Sequence, residues 1–135
     1  MSAGKTWDAA EDFCQAQDSH LVSVPSSTVR EYILSSMKKK NIPRIWLGGN
    51  DKDYEGLWVW TDCSFFGFTS WASGEPNNVG NEDCIEMWKD WTKSLRGEGM
   101  WNDVPCSYYK HPFLCSKKIC SGDSFFYKLH IHIHN

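Results

Sequence analysis

Hydrophobic positions follow two rhythms along this chain. From Trp7 to Gln17, the apolar residues Trp7, Ala10, Phe13 and Cys14 recur at helical spacing. Thr6 stands where an N-cap belongs, and Asp8 and Glu11 lie near the end where the helix dipole favours acids. A second helix is predicted from Thr28 to Lys38. Thr28 and Glu31 have capping-box spacing, Tyr32, Ile33 and Leu34 form the apolar side, and Lys38, Lys39 and Lys40 close it. Between the helices, Leu21–Val24 reads as a short strand stopped by Pro25. After Pro43 the pattern changes to short apolar runs of strand type: Ile45–Gly48, Leu57–Thr61, Cys84–Trp88, Met100–Val104 and Pro112–Cys115. Residues 62–81 have little periodicity and much Gly, Ser, Asn and Pro, and a loop that long inside a compact domain is usually functional. Two helices with several short strands predict an α+β domain.

Composition narrows the picture. A chain of 135 residues suffices for one domain with one hydrophobic core. The net charge of −3 offers nothing to a polyanion, so no nucleic-acid partner is expected. The eight Trp are read mainly as core, since Trp buries a large area and keeps one donor. Six Cys with no Cys-x-x-Cys pair speak against zinc-ribbon and thioredoxin-type motifs and suit disulfides in an oxidising compartment. Six Cys allow 15 pairings, and counting alone does not choose among them. No apolar run reaches the roughly 18 residues of a membrane span, so none is expected. The first five residues lack the apolar core of a leader, so a secreted protein would carry its leader outside this sequence.

The densest chemistry lies between residues 75 and 103. Glu75, Asn77, Glu82, Asn102 and Asp103 bring oxygen-bearing side chains, three of them acidic, into the loop region and its flank. Calcium takes six to eight oxygen ligands, whereas zinc prefers His and Cys, which this set lacks. Together with Trp46-Leu47-Gly48, Glu75-Pro76-Asn77, Glu82-Asp83-Cys84, Trp101-Asn102-Asp103 and Phe113-Leu114-Cys115, and with the Trp7-to-Cys14 helix, these residues make the chain resemble the C-type lectin domain family. The resemblance spans about residues 5–117, and several ordered motifs are more specific than any one.

The resemblance implies a C-type lectin fold with two helices, short antiparallel sheets and a long calcium-binding loop region. It implies Ca2+ at a principal site of Glu75, Asn77, Glu82, Asn102 and Asp103, the same residues binding sugar, with Pro76 after a cis peptide. Glu-Pro-Asn goes with mannose, fucose and N-acetylglucosamine in this family, so mannose-type glycans are the expected partners. An auxiliary calcium site would use Asp51, Glu55 and Asp83, with Asn78 where an Asp is usual and Glu82 shared. Family pairing implies Cys14–Cys115 and Cys84–Cys106 and leaves Cys63 and Cys120, read as a bridge to each other in preference to a link between chains. The implied setting is extracellular, with glycan recognition in innate defence as the role.

Three departures from the family pattern carry expectations of their own. Only a few residues precede Trp7, so the usual N-terminal strand is expected to be missing. The segment from Trp88 to Met100 is longer and more charged than usual, read as an extra loop near the sugar site or a surface insertion. The chain divides into the domain at residues 1–118 and a tail at 119–135. In the tail Phe125, Tyr127, Leu129, Ile131 and Ile133 alternate with Phe126, Lys128, His130, His132 and His134. That pattern suits an added amphipathic strand on the sheet edge left open. Its His are read as polar strand residues, not a metal site.

Other functions fit less well. There is no Gly-x-Ser-x-Gly elbow, no His-Glu-x-x-His and no phosphate loop, so no enzyme is expected. The alternative is a protein- or ice-binding relative on the same scaffold, with calcium in a structural role. Any homo-oligomer would have to use the domain surface, the tail or a cysteine, because no coiled-coil stretch is present.

Overall fold

A computed structural model describes residues 4–78, 81–90 and 97–117 and the backbone of 132–134. Helix α1 runs Trp7–Gln15, with Thr6 Oγ1 accepting from the Ala9 N–H at 3.4 Å. Its buried stripe is Trp7, Ala10, Glu11 and Cys14. The helix stops short of the expected Gln17 because the Cys14 carbonyl is taken by Ser19, through both its N–H at 3.0 Å and its Oγ at 2.7 Å. Strand β1 (His20–Leu21) follows.

Helix α2 runs Ser27–Lys40, and its cap differs from expectation. Ser26, not Thr28, is the N-cap, its Oγ accepting from Val29 N–H at 3.3 Å. Once Ser26 holds that position, Thr28 lies inside the first turn, and Glu31 pairs with Arg30 at 2.8 Å instead of closing a box. The helix ends at Asn41, whose φ of +52° and N–H bond to the Lys38 carbonyl terminate the chain's turn.

The remaining strands are β2 (Arg44–Asn50), β3 (Val59–Trp60), β4 (Cys84–Trp88), β5 (Trp101–Val104), β6 (Phe113–Ser116) and β7 (His132–His134). They form one sheet in the order β1-β6-β2-β4-β5, with β3 beside β2 and β7 beside β6. The expected short antiparallel sheets take the form of one sheet, antiparallel in every strand pair but one. Strands β2 and β6 run parallel at Trp46↔Phe113, where Trp46 N–H donates to the Pro112 carbonyl at 3.0 Å. The expected Leu57–Thr61 strand shrinks to Val59–Trp60, with only Trp60 of the pair buried.

Both faces of the sheet are covered. Ile45, Leu47, Ile85, Met87, Trp101 and Leu114 pack with Ile33, Leu34 and Met37 of α2. Trp46, Cys84, Val104 and Phe113 pack with Trp7, Ala10 and Cys14 of α1. A strand buried on two sides reads as a continuous apolar run, which is why Ile45-Trp46-Leu47 shows no alternation.

Disulfides Cys14–Cys115 and Cys84–Cys106 tie α1 to β6 and β4 to the segment after β5. Cys63 is disulfide-bonded as well, and the Cys63–Cys120 pairing lies outside the described residues. Ahead of α1, Lys5 makes a two-bond bridge with His111, at 3.1 and 3.0 Å. At the other end, His132–His134 pairs antiparallel with Phe113–Cys115. The other expected tail-strand positions, Phe125 to Ile131, lie outside the described residues, as does the centre of the Trp88–Met100 segment.

Candidate functional site

The long loop leaves the sheet at a buried carboxylate. Asp62 Oδ2 accepts from Ser23 Oγ at 2.5 Å, and its Oδ1 accepts from Ser64 N–H at 2.9 Å. Further on, Trp101 N–H donates to the Ser70 carbonyl at 2.8 Å and Ala72 N–H to the Trp101 carbonyl at 2.9 Å. Beneath these bonds the Trp101 ring meets Trp60, Trp71, Phe66 and Phe68 edge-on. An aromatic floor fixed at Trp101 therefore carries the loop and places Asn102 and Asp103 directly beside it.

Three of the five residues expected at the principal site, Glu75, Asn77 and Asp103, are joined by hydrogen bonds. Asp103 is fully buried. Its Oδ1 accepts from Asn77 N–H at 3.0 Å and its Oδ2 from Asn78 N–H at 2.7 Å. Asn77 Nδ2 donates to Glu75 Oε1 at 2.9 Å. The Glu75–Pro76 peptide is cis. Asn102 is half-buried on β5, and its Nδ2 donates to Glu86 Oε2 at 3.1 Å. Glu82 is half-buried at the foot of β4, next to Asp83. The Asp103 side chain thus acts on the loop backbone, a task its motif did not reveal.

Among the described residues, the carboxylates that converge are those of Asp51, Glu55 and Asp83, each offering an oxygen within 4.8 Å of the others. Asp51 sits at the end of β2, its N–H bonded to the Asp83 carbonyl at 3.0 Å and its Oδ2 accepting from Gly56 N–H at 2.9 Å. Asp51 Oδ1 and Asp83 Oδ1 are buried without a hydrogen-bond partner. Burial, then the adjacent Asp51 and Asp103, push the Asp83 carboxyl up to about 6 despite Lys52. Asp51 likewise raises Glu55 above its ordinary value. Buried acceptors without donors and mutually repelling acids are what a bound cation would relieve, and an all-oxygen set suits a hard ion. This cluster could hold a metal. Asn78, expected beside it, is exposed in a left-handed conformation with φ +50°.

One group escaped the motif reading. Glu86 is buried in β4, between Trp46 of β2 and Asn102 of β5 as its cross-strand partners. Its Oε2 accepts from Trp88 Nε1 at 2.6 Å as well as from Asn102, and Oε1 faces His111 Nε2 at 2.8 Å. Burial alone would push Glu86 up, but the bonds from His111 and Asn102, the His111 ring and Trp88 outweigh it and hold the carboxyl below its ordinary value. The sequence signal was an acid inside the apolar run Cys84-Ile85-Glu86-Met87.

Comparison with known proteins agrees with this architecture. Residues 3–117 match the family model described as Lectin C-type domain. An alpha-N-acetylgalactosamine-specific lectin of Patiria pectinifera is 38% identical over 114 residues, covering 79% of this chain and 66% of that protein. Echinoidin of Heliocidaris crassispina is 37% identical over 126 residues, covering 82% of this chain and 81% of its own. The carbohydrate-recognition domain of cow CD23, crystallised in the presence of GlcNAc2Man3 oligosaccharide, superposes with a TM-score of 0.70 at 30% identity, covering 84% of this chain and 81% of that one. No helix among the described residues is long and apolar enough to cross a membrane.

Proposed function

The chain belongs to the C-type lectin domain family, and we propose that it is a calcium-dependent lectin whose principal site is Glu75, Asn77, Glu82, Asn102 and Asp103, with preference for mannose-type sugars. The observation that supports this most is the build of the Glu75–Asn77 segment. Asp103 grips two consecutive backbone N–H groups, and the Asn77 amide lies against Glu75. A loop held by its backbone keeps its acid and amide side chains at fixed places for a ligand.

Calcium bound there would supply a hard cation able to accept sugar hydroxyl oxygens. The side chains of this chain supply direction. A carboxylate accepts a hydroxyl proton, and an amide N–H donates to a hydroxyl oxygen, so acids alternating with amides suit a pair of vicinal hydroxyls. Asp51, Glu55 and Asp83 are assigned to a second calcium that fastens the loop, and Asn78 and Glu82 are proposed as further ligands of it. The setting is extracellular, which suits disulfides, and the role is binding of glycans in defence rather than catalysis.

The relatives pull in two directions on sugar class. The Patiria protein is named for N-acetylgalactosamine, while the cow domain was crystallised with a mannose-containing oligosaccharide. The Glu75-Pro76-Asn77 order supports the mannose class here. Calorimetric titration of mannose and of N-acetylgalactosamine, each with calcium and with a chelator, tests this. Calcium-dependent heat with mannose alone is expected. Heat with N-acetylgalactosamine alone would keep the lectin and reverse the sugar class. Calcium binding without any sugar heat would move the reading to a protein- or ice-binding scaffold.

A further inference from the structure

We infer that Glu86, held in place by Trp88 and His111, is a positioning residue that sets which way the Asn102 amide faces. The inference rests on the lectin reading above, because it concerns how one residue of that site is prepared. Three observations carry it. Glu86 and Asn102 are direct cross-strand partners between β4 and β5, so their side chains rise from the same face of the sheet as neighbours. Glu86 is only 1% exposed, with Trp46 as its partner on the other side. Its oxygens are engaged by Trp88 Nε1, Asn102 Nδ2 and His111 Nε2 at 2.6, 3.1 and 2.8 Å.

The orientation follows from what each group can do. An indole N–H only donates, so the Glu86 Oε2 that Trp88 meets is an acceptor. A second group at that oxygen must donate too, and the only donor an Asn side chain has is its NH2. The Asn102 nitrogen is therefore turned toward Glu86 and its carbonyl oxygen away. One N–H is used and the other remains. That leaves Asn102 with one carbonyl oxygen for a cation and one N–H for a sugar hydroxyl. An amide free to flip would spend part of its time with the two exchanged. His111 is stacked on Tyr109 and close to Trp46, which fixes the group bearing on Oε1.

Two variants test the role. Glu86→Gln keeps a carbonyl oxygen for Trp88 and Asn102 and turns an NH2 toward His111 Nε2, which accepts it once the ring proton sits on Nδ1, so mannose and calcium affinity should stay within about threefold of wild type. Glu86→Leu removes the acceptor. It should weaken calcium at the principal site, and mannose with it, by about 10- to 100-fold, the range typical of lost outer partners. Calcium at Asp51, Glu55 and Asp83 should be unchanged, which separates positioning from general damage. A Glu86→Leu protein that binds mannose like wild type, or a Glu86→Gln protein that loses it equally, overturns the inference. Wild-type protein that binds neither ion nor sugar overturns the lectin reading instead.

A further readout needs no ligand and no variant. In metal-free wild-type protein, one of the two Asn102 side-chain amide protons should be shifted and slow to exchange with solvent, while the other exchanges readily. Should Glu86→Leu fail to fold, this measurement decides alone: two Asn102 amide protons that both exchange freely at unshifted positions overturn the proposal.

Discussion

Asp103 has two acceptor oxygens and two backbone donors, Asn77 and Asn78, one on each oxygen. Hydrogen bonds to a charged acceptor contribute about 1.5–3 kcal/mol each when buried. Asp103→Ala should therefore lower stability by roughly 2 kcal/mol or more and release the loop. Amide exchange at Asn77 and Asn78 is the direct check, expected to speed at least tenfold. Unchanged exchange at both would mean that something else holds the Glu75–Asn78 segment. A second residue-scale case is the pair of Glu11 and His20, whose Oε2 and Nδ1 lie 2.8 Å apart. Burial opposes ionisation of Glu11, but bonds from His20, Gln15 and the Leu21 N–H outweigh it and lower the carboxyl below its ordinary 4.5. The bond to Glu11 raises His20 above its ordinary 6.5, against burial. A lowered carboxyl stabilises the fold above its ordinary value and loses that contribution as pH falls. A raised imidazole stabilises below 6.5 and loses its contribution as pH rises through the folded value. Urea melts between pH 6 and about 9 should thus show a decline in wild type that His20→Gln lacks.

At the scale of elements, close approach of strands sets the tolerances. A Cβ on Gly48 would lie 2.7 Å from the Leu21 carbonyl oxygen and 2.8 Å from Thr61 Oγ1. Strand β2 is bonded on both sides there, through Gly48 N–H to Val22 and Thr61 N–H to Gly48. The Leu21 backbone cannot withdraw without straining the adjoining Gly48–Val22 bond, so Gly48→Ala should cost about 1–3 kcal/mol, read as a lower urea midpoint. The same scale shows what the sequence made legible. Helical spacing in Trp7–Cys14 and the apolar runs of β2, β4, β5 and β6 located those elements, because burial imposes its period locally. Their ends were less legible: Ser26 precedes Thr28 and takes the cap, and Ser19 ends α1 by claiming a carbonyl. The parallel pairing of β2 with β6 was not legible at all, since it joins Trp46 to Phe113 from distant parts of the chain. Site residues divide in the same way. The family resemblance marked Glu75, Asn77 and Asp51, but the bond from Asn102 to Glu86 depends on register between strands, which no local pattern encodes.

For the whole molecule, an ion held by the acid cluster would link folding to metal binding. Asp51, Glu55 and Asp83 tie the end of β2, the turn after it and the foot of β4 into one place. In the metal-free protein their repulsion and burial push Asp83 up to about 6. The sign follows from linkage: a raised carboxyl makes the folded state hold its proton longer than the unfolded chain, so stability falls as pH rises from 3.8 toward that value. At pH 7 metal-free wild type is therefore penalised, and Asp83→Asn should melt higher. Calcium should reverse the order. An ion at 100 times its dissociation constant stabilises the folded state by about 2.7 kcal/mol, or roughly 10 °C for a chain of this size. Asp83→Asn, lacking one ligand, should gain much less. Thermal melts of both proteins with chelator and with saturating calcium should thus cross, wild type lower without the ion and higher with it. At pH 5 without metal the difference should shrink, because Asp83 then carries its proton in the fold. Parallel gains for both proteins would place the stabilising ion elsewhere, at the loop gripped by Asp103. Crossing curves would mean that this protein keeps an unfavourable cluster of acids in its metal-free fold, and that the ion returns the stability the cluster removes.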